Sequence, residues 1–235
     1  MTSALGAVSP HLDDLALSCA QVLAARPGSS MVTVFAGGPP SVDPVTGWEA
    51  LSGMFEPGAD IVGARRSEDI EAASLLGCQH RHLGFWDDQY RHSAYGYEGP
   101  QEDDLVRLIS SDLEALVGRS EFSTWLIPLG IGHPDHVAAA TACLAVVDRF
   151  PGLDWLVYED LPYATYPAAK VTDLAARLGA RGLELQPADD VELVGHGPSK
   201  LEVVGCYRSQ LEPLGDGIAA AVDTPERIHR LVRLG

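Results

Sequence analysis

Two short clusters of histidine and aspartate contain the residues of this chain that are best suited to catalysis. The first motif is Ser9-Pro10-His11-Leu12-Asp13-Asp14, and the second motif is Gly132-His133-Pro134-Asp135-His136. Each motif follows a short apolar run and precedes a segment with apolar residues at helical spacing. Imidazole and carboxylate groups bind divalent metals, and a catalytic zinc usually has three protein ligands and one open position. We therefore expect the two motifs to share one metal ion.

Three residues could supply the ligands of this ion. His11 and Asp14 are three positions apart at the start of a predicted helix, so both side chains can face one point. His136 of the second motif would complete a His-Asp-His set. These ligand types suit zinc, and they also suit other divalent ions such as Fe²⁺.

The remaining polar residues of the motifs could act beside the metal. Asp13 would lie next to the open position, where a carboxylate can take a proton from an activated water molecule. His133 would approach from the opposite side and donate a hydrogen bond to the oxyanion of a tetrahedral intermediate. Asp135 would orient one of the histidines as a partner behind the ligands.

Each motif taken alone also has a purely structural interpretation. An Asp-Asp pair at a helix start is often an N-cap that interacts favourably with the helix dipole. His-Pro-Asp-His is often a turn that caps a helix. The presence of both motifs, each at a strand-to-helix junction, favours the metal site. His80 and His82 alternate along one predicted strand and are interpreted as core or surface residues.

The apolar pattern predicts strands that alternate with helices. Predicted strands cover residues 4–9, 31–35, 78–83, 123–129, 155–158, 184–186 and 191–194, and predicted helices cover residues 12–25, 61–76, 102–117, 135–150, 167–178, 199–211 and 225–234. This alternation is typical of an α/β fold with a mostly parallel sheet that helices cover on both faces. The length suits one domain, residues 1–235. Because ligands bind at the carboxyl ends of such strands, the active site is expected there.

The composition restricts the partners that this chain could bind. Its 33 acidic and 16 basic side chains give a formal net charge of −17, so neither a nucleic acid nor an anionic membrane surface is an expected partner. The four cysteines form no C-x-x-C pair and are expected to be buried thiols. Since no signal peptide or long apolar segment is visible, we expect a cytoplasmic protein.

The two motifs together resemble those of the zinc-dependent N-deacetylases of the LmbE/PIG-L type. The resemblance extends to Arg65-x-x-Glu68 and to Tyr207-x-Ser209-Gln210. It implies a Rossmann-like three-layer sandwich and removal of an acetyl group from an N-acetylglucosamine-type substrate. It also implies the roles already considered, which are the ligands His11, Asp14 and His136, the general base Asp13, and the oxyanion-stabilising His133. Leu12 and Leu15 depart from the usual family residues, but neither position is a ligand.

The resemblance further suggests which residues bind the sugar. Arg65 and Asp87 match positions that often contact it, although Arg65 could form a surface ion pair with Glu68 or Asp69, and Asp87 could cap a turn. Tyr163 could replace a tyrosine that some members carry at Ile131. Aromatic residues of loops 37–60 and 84–100 could form the pocket wall or could simply bury these loops; they are Trp48, Phe55, Phe85, Trp86, Tyr90, Tyr95 and Tyr97.

Three functional hypotheses follow. The first is a zinc hydrolase that removes an N-acyl group from the amino sugar of a small molecule, because several segments resemble deacetylases of teicoplanin-type antibiotic glycosides. The second is an amidase that cleaves a thiol-sugar conjugate at the same site. The third is a non-catalytic sugar-binding module with a structural metal, which the extra carboxylate of Asp13 disfavours. A homo-oligomer is compatible with all three.

Overall fold

A computed structural model describes residues 3–91, 93–100, 102–166, 177–191, 193 and 197–234. Seven strands form one sheet: β1 (Gly6–Ser9), β2 (Ser30–Thr33), β3 (Gln79–His82), β4 (Thr124–Pro128), β5 (Asp154–Tyr158), β6 (Leu183–Pro187) and β7 (Ile228–Arg233). Their order is β3-β2-β1-β4-β5-β7-β6. The first five pair in parallel, and β7 pairs antiparallel with both of its neighbours. The sheet is therefore mostly parallel, as predicted.

Helices cover both faces of the sheet. They are α1 (Asp14–Ala24), α2 (Gly47–Leu51), α3 (Ile61–Leu75), α4 (Glu102–Val117), α5 (Pro134–Val147), α6 (Lys200–Val204), α7 (Arg208–Leu214) and α8 (Asp216–Asp223). None of the helices in the described part of the chain has the length and apolar character needed to cross a bilayer.

Two hydrophobic cores lie on opposite faces of the sheet. The alternation of side chains along each strand separates them, since Ala7 and Met31 belong to one core whereas Val8 and Val32 belong to the other. The first core contains residues of α1, α3, α6 and α8, and the second contains residues of α4 and α5. This three-layer α/β arrangement confirms the predicted fold class.

The strand order brings the two motifs together. The chain runs from β1 outward to β2 and β3, and then returns to place β4 on the other side of β1. Strands β1 and β4 pair in parallel, with Gly6 opposite Trp125 and Ala7 opposite Leu126. Their carboxyl ends therefore meet at the point where the strand order reverses. The first motif follows β1 and the second motif follows β4, so both lie at this edge.

Several predictions near the C-terminus were wrong. Residues 225–234 were predicted as a helix, but Ile228–Arg233 forms β7, which pairs with both β5 and β6. A short apolar pattern fits both the 3.6-residue period of a helix and the two-residue period of a strand. The edge of β5 would stay unpaired without a further strand, and this favours the strand. The predicted helix 199–211 is two helices, α6 and α7, and α8 was not predicted. The predicted helix 167–178 lies mostly outside the described residues, and so does half of the predicted β segment 191–194.

The helix that carries the first motif is kinked and is held at its kink by a distant carboxylate. Cys19 has φ −143° and ψ 15°, which interrupts the helical geometry of α1. The backbone N–H groups of Gln21 and Val22, just beyond the kink, donate to the carboxylate of Glu226 at 2.9 and 3.1 Å. Burial raises the pKa of Glu226 to about 7, although these hydrogen bonds and the charge of Lys200 oppose the shift.

We expect the substitution Glu226→Gln to change how stability depends on pH. Because the folded-state pKa is raised, the folded protein retains this proton between about pH 4.5 and 7 while the unfolded chain has lost it. The contribution of Glu226 to stability therefore falls by about 3 kcal/mol as the pH rises through this window. Denaturant unfolding at several pH values should show the difference between wild type and variant shrinking in the same window; a constant difference would contradict the raised pKa.

Candidate active site

The first motif is tied to the end of β1 by its own hydrogen bonds. The Ser9 hydroxyl donates to the carbonyl of His11 at 2.6 Å and accepts from the backbone N–H of Leu15 at 3.3 Å. The backbone N–H of His11 donates to Asp14 Oδ2 at 2.7 Å. These bonds fold the segment back on itself, so that the side chains of His11, Asp13 and Asp14 project from one tight turn that is buried in the protein.

The three proposed ligands lie at distances that suit one metal ion. Asp14 Oδ2 is 3.4 Å from His11 Nδ1 and 3.2 Å from His136 Nε2, and the three residues offer ligand atoms within 4.8 Å of one another. Tetrahedral ligands about 2.1 Å from zinc are separated by about 3.4 Å, so both distances fit such a site. A second set, His11, His133 and Asp135, also meets the distance criterion. In this set, however, His11 Nε2 already faces Asp135 Oδ2, and His133 Nδ1 already accepts from the backbone N–H of Asp135.

The surroundings of the His136 side chain provide the strongest indication that the cluster suits a cation. The side chain is fully buried, and its Nδ1 lies 2.7 Å from Asp160 Oδ1. Although Nε2 lies 3.2 Å from Asp14 Oδ2, it makes no hydrogen bond to any described residue, and such an atom is costly to bury unless something binds it. Burial lowers the pKa of His136, but Asp14 and Asp160 outweigh this effect and raise the pKa to about 9. The surroundings of this ring therefore favour a positive charge.

Asp135 holds the imidazole of His11, the other candidate histidine ligand, in place. Its Oδ2 lies 3.0 Å from His11 Nε2, which leaves His11 Nδ1 facing Asp14. Arg91 donates to Asp135 Oδ1 at 2.6 Å. Burial raises the pKa of Asp135, but the bonds from His11 and Arg91 outweigh it and lower the pKa to about 2. The carboxylate is thus a permanent anion that can orient a metal-binding histidine, which is the role predicted for it.

Asp13 does not cap the helix that it precedes. Its side chain makes no capping hydrogen bond, although it occupies the N-cap position of α1. The carboxylate is buried and lines the same cavity as His11 and Asp14. Burial and the neighbouring Asp14 raise the pKa of Asp13 to about 6, against the opposing charge of Arg65. The structural interpretation of the Asp-Asp pair therefore fails for Asp13, and a carboxylate remains free to exchange a proton in the cavity.

His133 caps a helix and also lines the cavity. Its Nδ1 accepts a hydrogen bond from the backbone N–H of Asp135 at 3.1 Å, which caps α5. Since Nδ1 is an acceptor, the neutral ring carries its proton on Nε2. Burial and the nearby His11 lower the pKa of His133, so the neutral ring is favoured. The ring stands edge-on to His11 with 4.9 Å between centroids and lines the cavity, where it can donate a hydrogen bond.

Arg65 and Asp87 lie together at the cavity and do not occupy the surface. Arg65 Nη1 is 3.3 Å from Glu49 Oε1 and 3.4 Å from Asp87 Oδ2, and the guanidinium is buried. The alternative ion pair with Glu68 or Asp69 is therefore wrong. Asp87 also accepts a hydrogen bond from the backbone N–H of Gln89 and so caps the turn Asp88–Tyr90. This cap was the alternative role predicted for Asp87. One side chain thus both caps a turn and lines the cavity.

The cavity has a volume of about 210 Å³ and includes the predicted Tyr163 but not the predicted Trp86. Trp86 lines a neighbouring cavity and packs against Tyr97, with 5.3 Å between ring centroids. A bridge between Gly37 and Trp86 keeps this segment extended, so consecutive side chains point to opposite sides. Asp87 faces the catalytic cavity, and the expectation that Trp86 does so was wrong.

The two flanking motifs of the sequence contact each other and position a further cavity wall. The Glu68 carboxylate accepts from the backbone N–H and the hydroxyl of Ser209, at 2.9 and 2.6 Å. Gln210 Nε2 then donates to Ser209 Oγ, and Gln210 Oε1 accepts from Trp48 Nε1 at 2.9 Å. Because the indole N–H can only donate, this chain fixes the orientation of the Gln210 carboxamide. Trp48 and Gln210 thereby form one wall of the cavity.

Comparison with known proteins agrees with this geometry. Residues 7–147, more than half of the chain, match the family profile described as PIG-L, GlcNAc-PI de-N-acetylase. The chain belongs to the PIG-L family. The resemblance inferred from the two motifs is therefore confirmed, and so is the expectation that this protein is an enzyme that hydrolyses an amide.

Individual members of the family are similar over most of their length. The 2'-N-acetylparomamine deacetylase of Streptomyces fradiae is 32% identical over 218 residues, which cover 87% of this chain and 72% of that protein. The zinc-inhibited form of a teicoplanin deacetylase has a TM-score of 0.77 and 28% identity, and the alignment covers 99% of this chain and 98% of the other. The A40926 pseudoaglycone deacetylase has a TM-score of 0.73 and 29% identity, and the alignment covers 99% of this chain and 98% of the other.

Other polar residues of this PIG-L protein lie outside the cavity or outside the described residues. His82 Nε2 is 2.7 Å from Asp69, which also accepts from the Tyr207 hydroxyl, so His82 belongs to a buried structural network. His80 is exposed. His92 and His196 lie outside the described residues.

The substitution Asp160→Asn should weaken metal binding. Asp160 accepts from the backbone N–H of Gly130 at 2.8 Å and holds His136 Nδ1, so its charge increases the basicity of that ring. Loss of such a partner usually lowers metal affinity by about 10- to 100-fold. Competition titration with a zinc chelator measures this change. Asp154→Asn, at the half-buried start of β5 where Arg230 donates to it at 2.6 Å, is the matched control, since it removes a paired carboxylate away from the two motifs, and it should leave the affinity unchanged; equal affinities for both variants would contradict the assigned role.

The substitution Trp48→Phe should reveal the function of the Trp48–Gln210 wall. The phenyl ring retains an aromatic surface but cannot donate to Gln210 Oε1, so the buried carboxamide loses a partner. We expect kcat/KM to fall by about threefold to tenfold, the value of one buried hydrogen bond. Gln210→Met should have a similar effect, and the double variant should not add to it. Leu51→Ala, at an exposed position on the same helix, is the control; fully additive effects would show that the two residues act separately.

Proposed function

We propose that this protein is a metal-dependent hydrolase that removes the N-acetyl group from an amino-sugar unit of a small glycoside. The observation that carries this proposal is the buried cluster of His11, Asp14 and His136, with Asp13 and His133 beside it in one cavity. Three ligands with a free carboxylate on one side and a neutral imidazole on the other suit amide hydrolysis.

The residues present fit a divalent cation. The spacing of the three residues, the buried Nε2 of His136 that makes no hydrogen bond, and the two imidazoles held by carboxylates all support this assignment. Zinc suits the ligand set, and Fe²⁺ is an alternative. A divalent cation held there lowers the pKa of water and polarises a carbonyl group.

Asp13 acts as the general base in this proposal. Its carboxylate accepts a proton from the water molecule that attacks the amide carbon, and the C–N bond breaks after the tetrahedral intermediate forms. The protonated carboxyl of Asp13 then donates to the leaving nitrogen, so that acetate and an amine are released. A carboxylate whose pKa is raised towards neutrality by burial suits both transfers.

His133 and the residues of the cavity wall act on the substrate. The Nε2–H of His133 donates to the oxygen that becomes negative in the transition state. Arg65 and Asp87 are held by mutual contacts at the cavity, where the guanidinium can donate to a hydroxyl and the carboxylate can accept from one. Tyr163 stands edge-on to His136 with 5.0 Å between centroids and forms the opposite wall.

The known relatives support an antibiotic-type glycoside as the substrate. The similar protein of Streptomyces fradiae is named for acetylparomamine, and the similar structures are those of deacetylases for teicoplanin and the A40926 pseudoaglycone. All three names describe deacetylases. We therefore assign the same reaction to this chain.

The substitution Asp13→Asn should abolish turnover while preserving the metal site. The amide cannot accept a proton, so we expect kcat to fall by about 100- to 10,000-fold. The metal content measured by elemental analysis should match that of the wild type, because Asp13 is not among the ligands. Asp14→Asn is the contrasting variant and should lose both the turnover and the bound metal. Acetate release from N-acetylglucosamine glycosides measures the activity; substantial activity of Asp13→Asn would overturn the assigned base.

A further inference from the structure

We propose that Arg91 is a positioning residue of this active site, which fixes both the imidazole of His11 and the segment 86–91 that carries Asp87. Arg91 belongs to neither motif, and it does not line the catalytic cavity. Its effect is therefore exerted through other residues, above all through the buried carboxylate of Asp135. This inference rests on the proposed metal site, but it can be measured without turnover.

The Arg91 guanidinium connects three acceptors. Its Nη2 donates to Asp135 Oδ1 at 2.6 Å and to Asp88 Oδ1 at 2.9 Å, so both N–H groups of this nitrogen are used. Its Nη1 donates to the backbone carbonyl of Trp86 at 2.8 Å. The side chain is only 10% exposed. A planar fork of donors thus satisfies three acceptors at fixed angles, which the ammonium group of a lysine cannot reproduce.

Arg91 bonds to the same carboxylate that orients His11. Asp135 is fully buried, and among the described residues only Arg91 donates to its Oδ1. Its Oδ2 lies 3.0 Å from His11 Nε2 and accepts from the backbone N–H of Asp88 at 2.9 Å. Without Arg91, one oxygen of a buried anion would lack a partner, which is costly enough for the carboxylate to move. Such a movement would release the imidazole of His11.

Arg91 also supports His11 through an aromatic ring. The guanidinium carbon lies 5.3 Å from the centroid of the Phe35 ring, within the range of a cation–π contact. The Phe35 ring in turn packs against the imidazole of His11, with 6.0 Å between centroids. Arg91 therefore reaches His11 by two routes, one polar and one aromatic, and removal of its guanidinium would loosen both.

The remaining bonds of Arg91 hold the chain on both sides of Asp87. The backbone carbonyl of Trp86 and the carboxylate of Asp88 both accept from Arg91, so the residues before and after Asp87 are tied to one guanidinium. Asp87 itself is buried and lines the cavity. Its position relative to His11 therefore depends on Arg91. Metal affinity and the placement of a carboxylate in the cavity wall should then change together.

An exposed ion pair with the same sequence spacing shows what distinguishes Arg91. Arg107 also donates to the aspartate three residues before it, Asp104, at 3.2 Å. Arg107 is 68% exposed and Asp104 is 73% exposed, and such pairs contribute little to stability. Arg91 bonds in addition to a buried carboxylate and to a backbone carbonyl. Arg107 therefore provides the matched control.

The test compares Arg91→Ala, Arg91→Lys and the control Arg107→Ala. Zinc affinity is measured by competition with a chelator, and hydrogen exchange of the segment 86–91 is measured in the metal-free protein. We expect Arg91→Ala to bind zinc about 10- to 100-fold more weakly, the usual effect of losing a partner behind a ligand, and to exchange faster in this segment. Arg91→Lys retains the charge beside Asp135 and should lose less affinity. Arg107→Ala should match the wild type in both measurements.

Chemical rescue separates positioning from general support of the fold. Methylguanidinium can occupy the space that Arg91→Ala vacates and donate to the same acceptors. It should therefore restore part of the zinc affinity and slow the exchange of the segment 86–91. It should change neither quantity in the wild type or in Arg107→Ala. A loss of stability alone would not be reversed by this cation.

The outcomes are distinguishable. Wild-type zinc affinity in Arg91→Ala would overturn the inference, and so would a loss that neither lysine nor methylguanidinium reduces. If Arg91→Ala does not fold, Arg91→Lys decides, and wild-type affinity together with wild-type exchange in that variant would overturn the inference. A wild-type protein that binds no zinc would contradict the proposed metal site and this inference with it. Absence of acetate release from a protein with the expected zinc affinities would contradict the proposed reaction and leave the role of Arg91 intact.

Discussion

The close approach of Asp14 to two imidazoles is the interaction on which the site depends. A single oxygen, Oδ2, accepts the backbone N–H of His11 and lies within 3.4 Å of one ring nitrogen each of His11 and His136. These residues come from opposite halves of the sheet order, and they meet because β4 returns to pair with β1. Any change in that pairing would separate the two motifs. The parallel sheet thus determines the chemistry by determining which strand ends are neighbours.

Two buried carboxylates behind the candidate ligands make the surroundings of the imidazoles negative. Asp135 and Asp160, both fully buried, each face one imidazole, and burial of so many acids is costly without compensating positive charge. Asp14 and Asp160 raise the pKa of His136 to about 9 against the effect of burial. The same arrangement therefore favours a divalent cation bound between the two motifs.

The sequence was sufficient to predict the parts of the structure that depend on local pattern. The long helices α3, α4 and α5, the parallel strands and the residues of the two motifs follow from periodicity, from strand-to-helix junctions and from residue type. Asp160, Glu49 and Gln210 were not identified as site residues, because each acts through a contact with a residue far away in the chain. The Tyr207-x-Ser209-Gln210 segment was noted, but only the fold reveals that it contacts Glu68. Trp86 was misplaced because the register of an extended loop decides which side chain faces the cavity.

Diffraction at the absorption edge of zinc, from crystals grown with stoichiometric metal, tests the central claim most directly. We predict one anomalous peak per chain, about 2.0–2.2 Å from a nitrogen of His11, an oxygen of Asp14 and a nitrogen of His136, with Asp13 beside it but not bound to it. A peak bound by residues of only one motif, or located away from the carboxyl ends of β1 and β4, would contradict the shared metal site and the hydrolysis that depends on it.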